Sequence, residues 1–130
     1  LTGAPPTSPR MQLSLWASPP ESHAIEQVRR VVDPVQARLI PAHVTLCRDE
    51  ELAGLAPGDV RAHLAAGAWR GALALSFGAA EWFGGHGILL PCVAGEDDFR
   101  ALRAAVLGAV PVRAQRPHLT LAHPRNARAP

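Results

Sequence analysis

The sequence contains no lysine, so all 13 of its basic residues are arginine. With alanine, glycine and proline abundant, this reads as a compositional bias before it reads as a function. The net charge is only +2, against 11 acidic residues and six neutral histidines, too small a surplus to coat a long nucleic-acid duplex. A small or terminal phosphate suits it better, because arginine can still grip phosphate bidentately. Cysteine is scarce: Cys47 and Cys92 match neither a disulfide framework nor a zinc spacing, which points to an intracellular chain. No apolar run approaches the ~20 residues of a membrane span. A basic segment followed by an apolar one is also missing at the N-terminus. A soluble, cytoplasmic monomer is expected. A glycine-rich phosphate cradle, a metal-ligand cluster and a Gly-x-Ser-x-Gly elbow are absent from the sequence too, so neither cofactor nor metal is expected.

At 130 residues and 48% hydrophobic, the chain can bury one real core but not two independent ones. Residues 1–10, with Pro5, Pro6 and Pro9 and no periodicity, read as a flexible leader. Residues 11–130 then form one domain.

What the chain does contain is one pattern stated twice, His43-Val44-Thr45-Leu46 and His118-Leu119-Thr120-Leu121, 75 positions apart. In a strand, side chains alternate between faces. Each copy therefore presents an imidazole and a hydroxyl on one side and two apolar groups on the other. Around these strands the expected order is β-α-β followed by α-β-β-α-β. Gln12 to Trp16 reads as a strand. Ser18 then reads as an N-cap, with Pro19 at the first helical position and Glu21 three residues after the cap. Ile25, Val28, Val31 and Val32 recur at helical spacing until Pro34 stops the helix by Asp33. A strand from about Leu39 to Cys47 carries the first motif. Asp49-Glu50-Glu51 and Pro57-Gly58-Asp59 are polar breakpoints before a weakly amphipathic helix ending near Ala66, with His63 exposed on it. Ala72 to Phe77 and Ile88 to Val93 read as strands, separated by a glycine-rich turn from Glu81 to Gly87. Glu96-Asp97-Asp98 opens a helix whose stripe is Phe99, Leu102 and Val106 and which Gly108 ends, and the second motif forms the last strand. Each motif follows a helix and a proline (Pro41, Pro117), which suggests an internal duplication of a roughly 60-residue unit.

Two imidazoles and two hydroxyls facing one cleft supply groups that exchange protons near neutrality and groups that donate to an oxyanion. That inventory suits phosphate-ester chemistry without a metal. Other residues are open to two readings. Trp82, Phe83 and His86 wall the cleft and stack on a base, or plug the core. Arg116, Arg125 and Arg48 hold a phosphate or ribose, or are solvated charges. Cys47 shares the face of His43 and Thr45 but reads as a buried small residue before a nucleophile. His123 should point away from His118, at the surface of the strand end.

The two motifs, with their Pro-Ala-His and Arg-Pro-His lead-ins, resemble the paired signature of the 2H phosphoesterase superfamily over about Met11 to Asn126. The resemblance implies an α+β, bilobal fold in which two antiparallel sheets, related by a pseudo-twofold axis and flanked by helices, face a central cleft. It implies a metal-independent enzyme that opens 2′,3′-cyclic phosphates of nucleotides or RNA ends to a 2′-phosphate. In that scheme His43 is the proton donor to the leaving group, His118 the proton acceptor from water, and Thr45 and Thr120 the phosphate-binding hydroxyls. The cyclic-phosphate nucleotide or RNA terminus is then the partner. Two alternatives remain: 2′-5′ ligation of RNA ends with the same acid and base, and a module that binds phosphorylated ligands without chemistry.

Overall fold

A computed structural model describes residues 11–66, 73–83, 87–108 and 115–123. The expected leader, His86 and Arg125 lie outside these residues. In chain order the described elements are β1 (Leu13–Trp16), α1 (Glu21–Val32), α2 (Pro34–Leu39), β2 (His43–Cys47), α3 (Asp49–Leu52), α4 (Pro57–Ala66), β3 (Ser76–Phe77), β4 (Glu81–Phe83), β5 (Gly87–Ala94), α5 (Glu96–Leu107) and β6 (His118–Ala122). The class is α+β. Every pairing among the described strands is antiparallel, and their order is β1-β2-β6-β5-β3, with β4 also paired to β5.

Alternation along the strands separates the two faces of the sheet. Val44 and Leu46 of β2 and Leu119 and Leu121 of β6 are buried, whereas His43, Thr45, His118 and Thr120 are half-buried. The buried face packs against Phe99, Leu102, Val106 and Leu107 of α5, with Ile25 and Val32 of α1 against the same cluster. Among the described residues, the core helices α1 and α5 thus pack on the face opposite the histidines.

The order around the motifs repeats at a constant interval of 75. The pairs of β1 with β2 are Leu13–Cys47, Ser14–Thr45, Leu15–Val44 and Trp16–His43, with a register shift between Leu13 and Ser14. Adding 75 to each number gives the pairs of β5 with β6: Ile88–Ala122, Leu89–Thr120, Leu90–Leu119 and Pro91–His118, with the shift between Ile88 and Leu89. Both ends of the helix follow the same interval, Glu21–Val32 against Glu96–Leu107. The repeated arrangement runs from Leu13 to Cys47 and from Ile88 to Ala122, shorter than the roughly 60 residues that motif spacing suggests. The α3–α4 and β3–β4 segments lie between the copies.

Several boundaries differ from the sequence reading. Helix α1 starts at Glu21 with Pro20 at the cap position, after a cis Pro19–Pro20 bond, and no side chain caps it. With Ser18 as the cap, Pro20 would fall at the second helical position, where it has no N–H for the Ser18 hydroxyl to accept. Ser18 contributes only its carbonyl, which accepts Ser22 N–H at 3.1 Å. Pro34 does not merely end α1. Asp33 Oδ1 accepts Gln36 N–H at 3.2 Å and Pro34 occupies the first turn, so α2 forms in a stretch to which the sequence assigns no element, and β2 starts at His43 instead of about Leu39. Asp49-Glu50-Glu51 forms the first turn of α3, where acids favour the helix dipole. Of the Ala72–Phe77 strand only Ser76–Phe77 pairs, and Ala72 lies outside the described residues. Glu81–Phe83 is a strand and not a turn, because each residue pairs with β5.

Two glycines permit close approach. Gly95, at φ 93°, precedes α5 where a Cβ would stand 2.3 Å from the Ala74 carbonyl oxygen. Gly108, at φ 64°, ends α5 where a Cβ would meet the His63 ring at 2.8 Å. That contact corrects the exposed reading of His63: its Nδ1–H donates to the Val106 carbonyl at 2.7 Å, so it docks α4 on α5. Gly108→Ala is expected to destabilise the fold by about 1 kcal/mol or more, because φ > 0 and the His63 contact both oppose a side chain. Chemical denaturation of the variant checks this.

Candidate active site

The two motif strands are hydrogen-bonded neighbours. Val44 lies opposite Leu119. Antiparallel pairing at that register sets His43 across from Thr120 and Thr45 across from His118. The histidines become diagonal neighbours, about 7–8 Å apart. A local twofold through the Val44–Leu119 pair exchanges the motifs, so a phosphoryl group on this face meets one imidazole from each side and one hydroxyl beside each imidazole.

Both imidazoles are held alike. His43 Nδ1 lies 2.9 Å from the Pro41 carbonyl oxygen and His118 Nδ1 lies 3.3 Å from the Arg116 carbonyl oxygen. A carbonyl can only accept, so each Nδ1 carries the proton and each Nε2 is the nitrogen left to exchange one with a ligand. Thr45 Oγ1 accepts from Gln12 Nε2 at 3.1 Å. Its own hydroxyl hydrogen remains available to an oxyanion. His118 and Thr45 border a cleft of about 980 Å³ that Gln12, Ser14, Trp16 and Gln115 also line, and His43 meets it through its contact with the Trp16 ring.

Two buried arginines brace the strands from behind. On α1, Arg29 pairs with Glu26 at 2.7 Å and donates to the Ile40 carbonyl at 2.9 Å, while Glu26 accepts Ala42 N–H at 2.6 Å. This fixes the lead-in to His43. On α5, Arg103 pairs with Glu51 at 2.5 Å and donates to the Leu46 carbonyl and to Gln115 Oε1. Gln115 Nε2 in turn donates to the Thr45 carbonyl at 3.1 Å, which joins β2 to the lead-in of β6.

The remaining candidates are distributed as follows. Arg116 is exposed and its carbonyl serves His118. Arg48 lines the cleft and lies 3.8 Å from Glu50. Trp82 is exposed on β4, opposite Ile88, with β5 between it and β6. Phe83 is placed by its backbone opposite Gly87 in the same strand pair; its side chain, like Arg125, lies outside what is described. His123 lies just past the end of β6, where alternation no longer governs it. It is half-buried, borders the same cleft as His118, and donates its N–H to buried Asp33 at 2.7 Å. Cys47 leaves the histidine face and joins the core cluster, opposite Leu13 where the register shifts. Among the described residues, no group of three or more His, Cys, Asp or Glu could hold a metal ion, and no helix is long and apolar enough to cross a membrane.

Burial pushes the Cys47 thiol from 9.0 up to about 11. It is protonated near neutrality and unsuited to nucleophilic attack. The folded state holds this proton more tightly than the unfolded chain. Its contribution is therefore fully present below about pH 9 and lost as pH rises to about 11. Cys47→Ala should flatten the decline of stability over that window, as read by denaturation at several pH values. A decline of the same depth in the variant would contradict this.

Sequence reasoning missed Trp16 and Gln12. Trp16 lies opposite His43 and meets its ring edge-on, with centroids 6.0 Å apart and planes at 72°. The signal was available: Gln12, Ser14 and Trp16 alternate in phase along one stretch, which assigns them to one face. Compared with protein-family models, with curated proteins and with solved structures, the chain matches none.

Proposed function

We propose that the chain is a metal-independent phosphodiesterase of the 2H type that opens a 2′,3′-cyclic phosphate on a nucleotide or RNA end to a 2′-phosphate. The observation that carries this reading is the paired imidazoles. They lie diagonally across one antiparallel strand pair, each with Nδ1 tied to the carbonyl two residues earlier and Nε2 left for a ligand. We read β1-β2 and β6-β5, which meet at the registered pair Val44–Leu119 within one antiparallel sheet, as the counterparts of the two lobes.

In the proposed reaction His118 Nε2 takes a proton from water as the water oxygen bonds to phosphorus. The P–O3′ bond breaks, and His43 Nε2–H gives its proton to the departing O3′. Thr45 and Thr120 donate to the nonbridging oxygens as their charge grows. The histidines exchange protonation states over the cycle, so the next turnover requires a proton to return through solvent. Each proton transfer contributes about 10²–10⁴-fold.

The test is phosphorus NMR of adenosine 2′,3′-cyclic phosphate and of a cyclic-phosphate-ended oligonucleotide, incubated with the protein in excess EDTA. Conversion to the 2′-phosphate is expected. Folded protein that turns over neither substrate would remove the basis for this reading.

A further inference from the structure

The motif strands obey a local twofold, but the walls beside them do not. Under the 75-residue equivalence Trp16 corresponds to Pro91, Ser14 to Leu89 and Gln12 to Gly87. Trp16 stands opposite His43 as Pro91 stands opposite His118, and Ser14 stands opposite Thr45 as Leu89 stands opposite Thr120. The β1 wall is therefore aromatic and hydrogen-bonding, while the β5 wall is aliphatic. Among the wall groups, Gln12 Nε2 bridges Ser14 Oγ at 3.0 Å and Thr45 Oγ1 at 3.1 Å, which leaves the Gln12 Oε1 and the Ser14 hydroxyl hydrogen to face a ligand. Trp16 lines the cleft and is 60% exposed although its ring touches His43, so an apolar plane is left uncovered beside that imidazole.

We infer that the β1 wall is the nucleoside subsite: Trp16 stacks on the base, Gln12 and Ser14 bond to ribose or base-edge polar groups, and the β5 wall receives only phosphate and water. This rests on the proposed phosphodiesterase reading and adds to it an orientation. A site built on two equivalent motifs would otherwise accept its substrate in two opposite poses. In-line displacement puts the entering water and the departing O3′ on opposite sides of phosphorus, and O3′ belongs to the nucleoside. The nucleoside wall is thus the wall of the proton donor, and Trp16 lies against His43. The aliphatic Leu89 and Pro91 offer nothing to a ribose but leave the water beside His118 uncontested. Trp82, the exposed tryptophan on β4, has β5 between it and the motif strands.

The experiment compares wild type with Trp16→Ala, Trp16→Phe and Trp82→Ala on adenosine 2′,3′-cyclic phosphate and on 1-O-methylribose 2,3-cyclic phosphate, which has no base. Trp16→Ala should raise KM for the adenosine substrate roughly 5–150-fold, the range that loss of one base–aromatic stack predicts. Its KM for the baseless substrate should rise far less, so the preference for the adenosine substrate falls, and Trp16→Phe should restore most of that preference. Equal changes on both substrates, or a loss confined to kcat, would mean that Trp16 only holds the His43 ring, and would overturn the subsite. So would a KM effect from Trp82→Ala in place of Trp16→Ala. If wild type turns over neither substrate, the phosphodiesterase reading fails separately, and calorimetric titration with adenosine 2′-phosphate and 1-O-methylribose 2-phosphate decides the subsite. A preference for the adenosine ligand that Trp16→Ala abolishes sustains it; equal affinity of wild type for the two ligands overturns it.

Discussion

His118→Ala should lower kcat/KM by about 10²–10⁴-fold on every substrate, while His43→Ala should lose that much only when the leaving group is a poor one. A ribose oxygen departs badly as an alkoxide and needs the proton that the proposal assigns to His43. An activated aryl oxide departs without it. Paired assays on a ribose cyclic phosphate and on an aryl phosphodiester therefore separate donor from acceptor. Both rings have Nδ1 on the carbonyl two residues earlier, Pro41 for His43 and Arg116 for His118, so each presents Nε2 and the two variants remove equivalent groups. Equal losses for both variants on both substrates would leave the division of labour without support.

The second large effect is on stability. Arg103 is 1% exposed and makes its ion pair with Glu51 behind the motif strands. Arg103→Ala removes the partner of a nearly buried carboxylate and strands the Leu46 carbonyl, and is expected to cost about 3–5 kcal/mol. For a domain of this size that lowers Tm by roughly 10–20 °C. Replacing both members, as in Arg103→Met with Glu51→Leu, should recover part of the loss because no unpaired charge remains. Denaturant titration of the three proteins measures it. A single variant as stable as wild type would show that the pair contributes little to holding β2 against α5.

The sequence carried the strands and helices whose periodicity is strong. His43 to Leu46 and His118 to Leu121 sort onto two faces by alternation alone, and α5 runs from its three acids to Gly108. Where local chemistry competes with pattern, the reading drifted. Pro34 stops α1 but also opens α2 through the Asp33 cap, and a proline serves both roles equally well from sequence. β4 was hidden because Glu81-Trp82-Phe83 is too short to alternate, and only its pairing with β5 makes it a strand. The candidate site was legible as four residues and no more. Gln12 and Trp16 enter it through the register of β1 on β2, and cross-strand register is a tertiary property that no single stretch encodes. Cys47 is buried as its sequence context suggests, but alternation puts it on the histidine face and it lies in the core, opposite Leu13 where the register shifts.

The most direct test of two histidines acting as acid and base is the pH dependence of kcat/KM for adenosine 2′,3′-cyclic phosphate in wild type, His43→Ala and His118→Ala. One imidazole must be neutral and the other protonated, so wild type should trace a bell whose limbs report two coupled protonations of the free enzyme. Activity rises on the acidic side as the base loses its proton and falls on the alkaline side as the acid loses its own. His118→Ala should therefore lose the acidic limb and His43→Ala the alkaline one. A flat wild-type profile, or both limbs persisting in both variants, would contradict the account.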